Sequence, residues 1–235
     1  MAQLIFLPGL AGDTVMWQSQ LQATAHLGPR VSDVHMRHDD LPAMAAALLA
    51  ENEGELVLCG ASMGGMIAME AARQEPDRVV GLALLGTSAR PESPEMRELR
   101  EGAIQLFAQG QAAEVIKLNV RFAFHPDQAA DAALIQAYID FVLRAGASQL
   151  IRQNRAVIHR PDARLHLPQR RKPTLVMCGD CDQLTPPTLS EEIASLASGA
   201  ELHMVPRCGH MLTMEKPQWV NARLLDWLER LPVST

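Results

Sequence analysis

Short apolar runs bounded by glycine and proline recur along the chain: Leu4 to Leu7, Val31 to Met36, Leu56 to Cys59, Val79 to Leu85, Leu175 to Cys178 and Leu202 to Val205. They are largely unbroken by polar residues, so an extended segment would be apolar on both faces. That suits strands of a parallel sheet covered on both sides. Between them the period becomes helical, over Val15 to Thr24, Ala43 to Glu51, Met63 to Gln74, Pro187 to Leu196 and Gln218 to Arg230. Strand and helix in alternation predict an α/β fold: a mostly parallel sheet of about six strands, helices on both faces and right-handed crossovers.

The alternation stops between Ser88 and His166, where helical patterns run on without a convincing strand. Pro91 and Pro94 open the stretch and Pro161 and Pro168 bound its end, as expected where a chain leaves a sheet and returns to it. Residues 88–166 therefore read as a helical cap inserted after the fourth strand, with residues 1–87 and 167–235 forming the core. At 235 residues, one domain with an insertion is the simplest reading.

Charge narrows the partners. Twenty-one Lys plus Arg against 27 Asp plus Glu give a formal charge of −6, and there is no basic run to neutralise phosphates, so nucleic acid is not an expected partner. The apolar runs fall far short of the roughly 20 residues that span a bilayer. The start has no positive region, and its apolar run ends at Pro8, so a cytoplasmic protein is expected. Four cysteines include the spacing Cys178-Gly-Asp-Cys181, but no second pair or paired histidine completes a metal site. The cluster from His35 to Asp40 has ligand-type residues in what reads as a polar loop. No metal site and no cofactor are expected.

The strongest chemical signal is Gly60-Ala61-Ser62-Met63-Gly64-Gly65, which follows one apolar run and opens a helix. A serine on a sharp strand-to-helix turn has strained backbone angles, and small neighbours two before and two after let the chain segments approach. The turn also puts the Met63 N–H at a helix N-terminus, aimed where an oxyanion would form. A serine hydroxyl needs an adjacent base, and the base an orienting acid. His210, in Cys208-Gly209-His210, follows the sixth run. Asp180 and Asp182 both follow the fifth, and residue type does not choose between them. All lie just past the carboxyl ends of strands, where open parallel sheets bind ligands.

With the serine elbow, the Gly179-x-x-Asp182 turn and Gly209-His210 followed by Glu215-Lys216-Pro217, the chain resembles an α/β-hydrolase over nearly its whole length. The resemblance implies Ser62 as nucleophile, His210 as general base and Asp182 as the acid, because the family counts three residues from the glycine. Asp180 then becomes a turn-forming residue. Pro8-Gly9-Leu10 stands where the family usually has His-Gly, which implies Leu10 N–H as a second oxyanion donor beside Met63 N–H. The chain begins almost at the strand carrying this loop, so the family's N-terminal antiparallel hairpin is expected to be missing.

The implied activity is hydrolysis of a carboxylic ester or lactone of small to medium size, through an acyl-enzyme and without a cofactor. The same fold also hosts carbon–carbon bond hydrolases, thioesterases, cofactor-free perhydrolases, lyases and slow-turnover small-molecule receptors. Within the cap, aromatic residues fall on helical spacings that usually mark packing. Some are expected over the cleft nonetheless, and Phe107, Phe122, Phe124 and Phe141, with Met211 beside the histidine, are the expected substrate contacts. Arg121 and His125 are candidates for a substrate carboxylate, solvent exposure being the alternative.

Overall fold

A computed structural model describes residues 2–231. Six strands, β1 (Gln3–Leu7), β2 (Arg30–Val31), β3 (Leu56–Ala61), β4 (Val79–Leu85), β5 (Thr174–Gly179) and β6 (Glu201–Val205), form one sheet in the order β2-β1-β3-β4-β5-β6. Every pairing is parallel. Neighbouring residues of a strand go to opposite cores, as the period of two dictates. On β1, Ile5 and Leu7 pack on one face with Leu58, Leu84 and Val176, while Leu4 and Phe6 join Cys59, Leu85 and Met177 on the other.

Helices cover both faces. The first core is closed by α2 (Leu41–Glu51), α3 (Met63–Gln74) and α8 (Pro187–Leu196); the second by α1 (Gln18–Ala23) and α10 (Pro217–Glu229), with the one-turn α9 (Leu212–Glu215) between site and helix. Trp17 and Trp227 are almost fully buried in the second core, Trp17 with its ring 4.7 Å from that of Phe6. Truncating either to alanine would cost about 3–5 kcal/mol.

Between β4 and β5 lie α4 (Pro94–Ala108), α5 (Ala112–Asn119), α6 (Ala132–Ala145) and α7 (Ala147–Ile158), with α4 packed on α7. Ser93 caps α4 through the Met96 N–H, and Asp131 caps α6 through those of Ala133 and Leu134, satisfying orphan donors of the first turn. No helix among the described residues is long and apolar enough to cross a membrane.

Two expectations need correction. The second strand ends at Val31 rather than Met36, and Val34–Met36 is a turn of 3-10 helix. Ser32 accepts a hydrogen bond from Val34 N–H at 3.4 Å, offering the backbone a local partner where the edge strand has only one neighbour. Likewise the helix expected over Val15 to Thr24 begins as 3-10 at Thr14–Trp17, capped by Asp13, before α1.

Candidate active site

The turn from β3 into α3 holds Ser62 at φ 51°, ψ −117°, a conformation an L-residue rarely adopts. Its neighbours show why the turn is built from glycine. A Cβ on Gly60 would stand 2.3 Å from Gly64 O, and one on Gly64 would stand 2.0 Å from Leu7 O. Helix, strand and elbow therefore touch backbone to backbone. Leu85 O accepts from Ser62 N–H at 2.9 Å and Thr87 Oγ1 donates to Ser62 O at 2.7 Å, so the strained residue is pinned from β4.

His210 follows β6 on a loop held from below by Glu215, whose carboxylate accepts from the N–H groups of Gly209 (3.0 Å) and His125 (2.8 Å). The N–H groups of His210 and Met211 both donate to Ala123 O. The imidazole Nδ1 lies 2.8 Å from Asp182 Oδ2. That oxygen also accepts from Thr185 Oγ1 at 2.8 Å, while Oδ1 accepts from the N–H groups of Leu184 and Thr185, each at 2.9 Å. Asp180 turns away and accepts from Cys208 N–H at 3.2 Å. The two carboxylates that residue type left equivalent thus have separate partners.

Electrostatics follow from these contacts. Burial alone disfavours the Asp182 carboxylate, but the His210 charge and the bonds from His210 and Thr185 outweigh it and hold the carboxyl below its ordinary value. Burial likewise disfavours the imidazolium, yet Asp182 raises the His210 pKa above 6.5. Gly86, at φ 50°, passes beneath the pair, where a Cβ would come within 3.2 Å of Asp182 Oδ2.

Ser62 and His210 line one cavity of about 290 Å³ at the carboxyl ends of the strands. The loop after β1 forms one wall. There Gly9 N–H points to Met16 Sδ, Ala11 N–H donates to Gln153 Oε1 at 2.6 Å and Gly12 N–H donates to Gly9 O, which leaves Leu10 N–H without an acceptor among the described residues. Leu10 and Met63 both line the cavity, and Met63 opens α3, where first-turn N–H groups lack an intrahelical partner.

The roof comes from α4 to α7: Met96, Arg100, Phe107, Val115, Ile116, Tyr138, Phe141, Leu150 and Asn154. Of the five residues expected at the cleft, Phe107, Phe141 and Met211 line this cavity, and Phe122 and Phe124 do not. Phe124 is fully buried behind Tyr138, edge-on at 5.4 Å, and Phe122 carries the Arg121 guanidinium over its ring at 4.8 Å. Neither Arg121 nor His125 lines the cavity; the arginine that does is Arg100. Its sequence signal is its place on the stripe Met96, Arg100, Ala103 and Phe107, where a charge interrupts one helix face.

Among the described residues no group of three His, Cys, Asp or Glu side chains could hold a metal ion, and all four cysteines are free thiols. Burial pushes Cys178, on β5, up to about 12.

Known proteins resemble this chain over most of its length. A 2-succinyl-6-hydroxy-2,4-cyclohexadiene-1-carboxylate synthase of Escherichia coli is 30% identical over 96% of this chain and 93% of its own. A pimeloyl-[acyl-carrier protein] methyl ester esterase of Neisseria meningitidis is 25% identical over 83% of this chain and 77% of its own. The solved structure of a thermophilic esterase from Thermogutta terrifontis, with malate bound, superposes with a TM-score of 0.89 at 25% identity, covering 99% of this chain and 91% of that one. The family model for the α/β-hydrolase fold matches residues 3–217, and with the six-stranded sheet and the serine elbow already in place, the chain belongs to the α/β-hydrolase fold family.

Proposed function

We propose that the protein is a serine hydrolase of small to medium carboxylic esters or lactones, working in the cytoplasm without a cofactor. One observation carries the reading: Ser62, held at positive φ on the elbow, opens into the same cavity as His210, whose far nitrogen is bonded to buried Asp182. With Nδ1–H donated to Asp182, the imidazole presents Nε2 as the base. Ser62 Oγ attacks the carbonyl carbon as His210 takes its proton, and Leu10 N–H and Met63 N–H receive the developing oxyanion. Collapse expels the alcohol, protonated by His210. Water then repeats the sequence on the acyl-enzyme and releases the acid. The wall is largely apolar, which suits an ester body that needs burial more than pairing.

The test is turnover of p-nitrophenyl esters by wild type and Ser62→Ala. Ser62→Ala should fold and turn over nothing, and a fluorophosphonate probe should label only wild type. Activity in the folded mutant comparable with wild type would sink the assignment. A second reading, synthase-type chemistry at the same residues, is favoured by the near full-length match to the 30% identical synthase. Many ester turnovers per molecule would argue against it, and against a slow-turnover receptor.

A further inference from the structure

Arg100 is the one permanent charge among the described residues that line the catalytic cavity. Its surroundings do not explain it as a structural ion. Glu92, almost fully buried, receives Arg160 at 2.7 and 3.1 Å, and Arg160 is itself buried and donates to Arg90 O and Val157 O. That pair is neutral and complete. Arg100 is a second cation on the same carboxylate, with Nε 2.5 Å from Glu92 Oε2, so the cluster of one carboxylate and two guanidiniums carries an excess charge of +1.

The surplus cation is rigidly aimed. Nη1 donates to Asn154 Oδ1 at 2.8 Å, and Asn154 is fixed in turn by its own bond to Leu150 O. These two anchors use two of the five guanidinium N–H donors. The other three have no partner among the described residues, and the side chain faces a cavity whose remaining wall is mostly Met, Phe, Leu, Ile and Val. Arg100 is close enough to the triad that its charge acts on His210. Removing a guanidinium largely from water and leaving it in excess is costly unless something neutralises it. A substrate anion would do so, and the planar fork matches a carboxylate.

We propose that Arg100, braced by Glu92 and Asn154, is a specificity residue that binds a free carboxylate on the substrate, so that the site takes esters or lactones bearing an anionic group away from the scissile bond. This rests on the hydrolase reading of Ser62 for its chemistry, but not for its binding.

The experiment compares kcat/KM for mono-p-nitrophenyl succinate, glutarate and adipate with that for neutral p-nitrophenyl butyrate and valerate. In wild type at least one anionic ester should lead its neutral counterpart by about ten- to a hundredfold, the range of charge-assisted hydrogen bonds. In Arg100→Gln that ratio should collapse to about one or below, and Arg100→Lys should keep part of it. Taking the ratio within each variant cancels any general damage to the cap. Calorimetric binding of glutarate and adipate to wild type, lost in Arg100→Gln, provides a readout without turnover. If no ester is hydrolysed yet this Arg100-dependent binding is seen, recognition stands and the hydrolase reading falls. If esters turn over but wild type shows no anionic preference, or Arg100→Gln retains it, the assignment of Arg100 is overturned and the hydrolase reading stands.

Discussion

Replacing Asp182 by asparagine tests the triad at its most exacting point, because one side chain accepts four hydrogen bonds from N–H and O–H donors, besides a long one from the Cys178 thiol. Oδ1 takes the Leu184 and Thr185 N–H groups and Oδ2 takes Thr185 Oγ1 and His210 Nδ1. An amide has one acceptor oxygen, and the two backbone donors cannot rotate away. The amide oxygen should therefore stay with them, turning the NH2 toward Thr185 and His210. Thr185 can accept by rotating its hydroxyl, but His210 can accept only as the tautomer protonated on Nε2. That tautomer presents a proton to Ser62 instead of a lone pair. In a known triad the equivalent change cost about ten-thousand-fold in turnover, which is roughly 5 kcal/mol of barrier. The assay is kcat for a p-nitrophenyl ester from pH 5 to 9. In wild type His210 must be neutral to act, and its pKa is raised above 6.5, so activity should climb with pH through a midpoint above 6.5. Without the carboxylate the residual activity should have its acid limb shifted to lower pH. Asp180→Asn keeps an acceptor for Cys208 N–H and should stay within several-fold of wild type. An Asp182→Asn enzyme within tenfold of wild type, or the reverse ranking of the two variants, would refute the reasoning.

Gly64→Ala would drive a methyl into Leu7 O, so α3 must separate from β1; a loss of at least about 1–3 kcal/mol in urea melts is expected, together with weakened fluorophosphonate labelling. Gln153, fully buried, accepts from Ala11 N–H and donates to His35 O at 2.9 Å. Gln153→Leu strands the Ala11 N–H, at about 1–3 kcal/mol, while His35 O keeps its bond from Gln149 Nε2 at 3.0 Å; the change should loosen the Leu10 wall, lowering kcat more than it raises KM, and a variant with unchanged kcat would separate the loop from the chemistry. Phe107→Ala and Phe141→Ala should shift acyl-chain preference toward longer neutral esters, while Phe122→Ala should leave the profile alone, since only the first two line the cavity. Equal profiles for all three would remove the cap helices from specificity.

The sequence was legible where the backbone itself makes the demand. Strands β1, β3, β4 and β5 stand out because both their faces are buried; β6, at one edge, is only partly buried, and at the other edge the apolar pattern overextends β2 because a strand of two residues is decided by local turn chemistry at Ser32. The turns that carry Ser62, His210 and the Asp180–Asp182 pair stand out for a related reason, while the choice of Asp182 over Asp180 rests on the family resemblance. Each turn has a geometry that requires small neighbours, and those glycines leave a mark at fixed spacing. The cap offers no such mark. Its aromatic residues share a helical period whether they face the cavity, as Phe107 and Phe141 do, or lie behind another ring, as Phe124 does behind Tyr138.

The same division places reactivity and selectivity in different parts of the chain. The groups proposed to break bonds are fixed by strands β1, β3, β5 and β6, whose register leaves little freedom to the turns that follow them. Arg100 depends on partners that only tertiary structure supplies: Asn154 is 54 residues away, and Arg160, which neutralises Glu92 and so makes Arg100 surplus, is 68 residues beyond that carboxylate. Read along α4 alone, Arg100 is one more charge on a helix and a solvated fate is the natural inference. Its position on the Met96 and Phe107 face is the single local sign to the contrary. Gln153 joins the two parts, because a side chain of α7 accepts the Ala11 N–H of the loop that carries Leu10. Substrate-dependent movement of α7 would therefore reach the oxyanion wall through one buried amide, which makes the loss in kcat on cutting that link the physical measure of how far roof and chemistry are coupled.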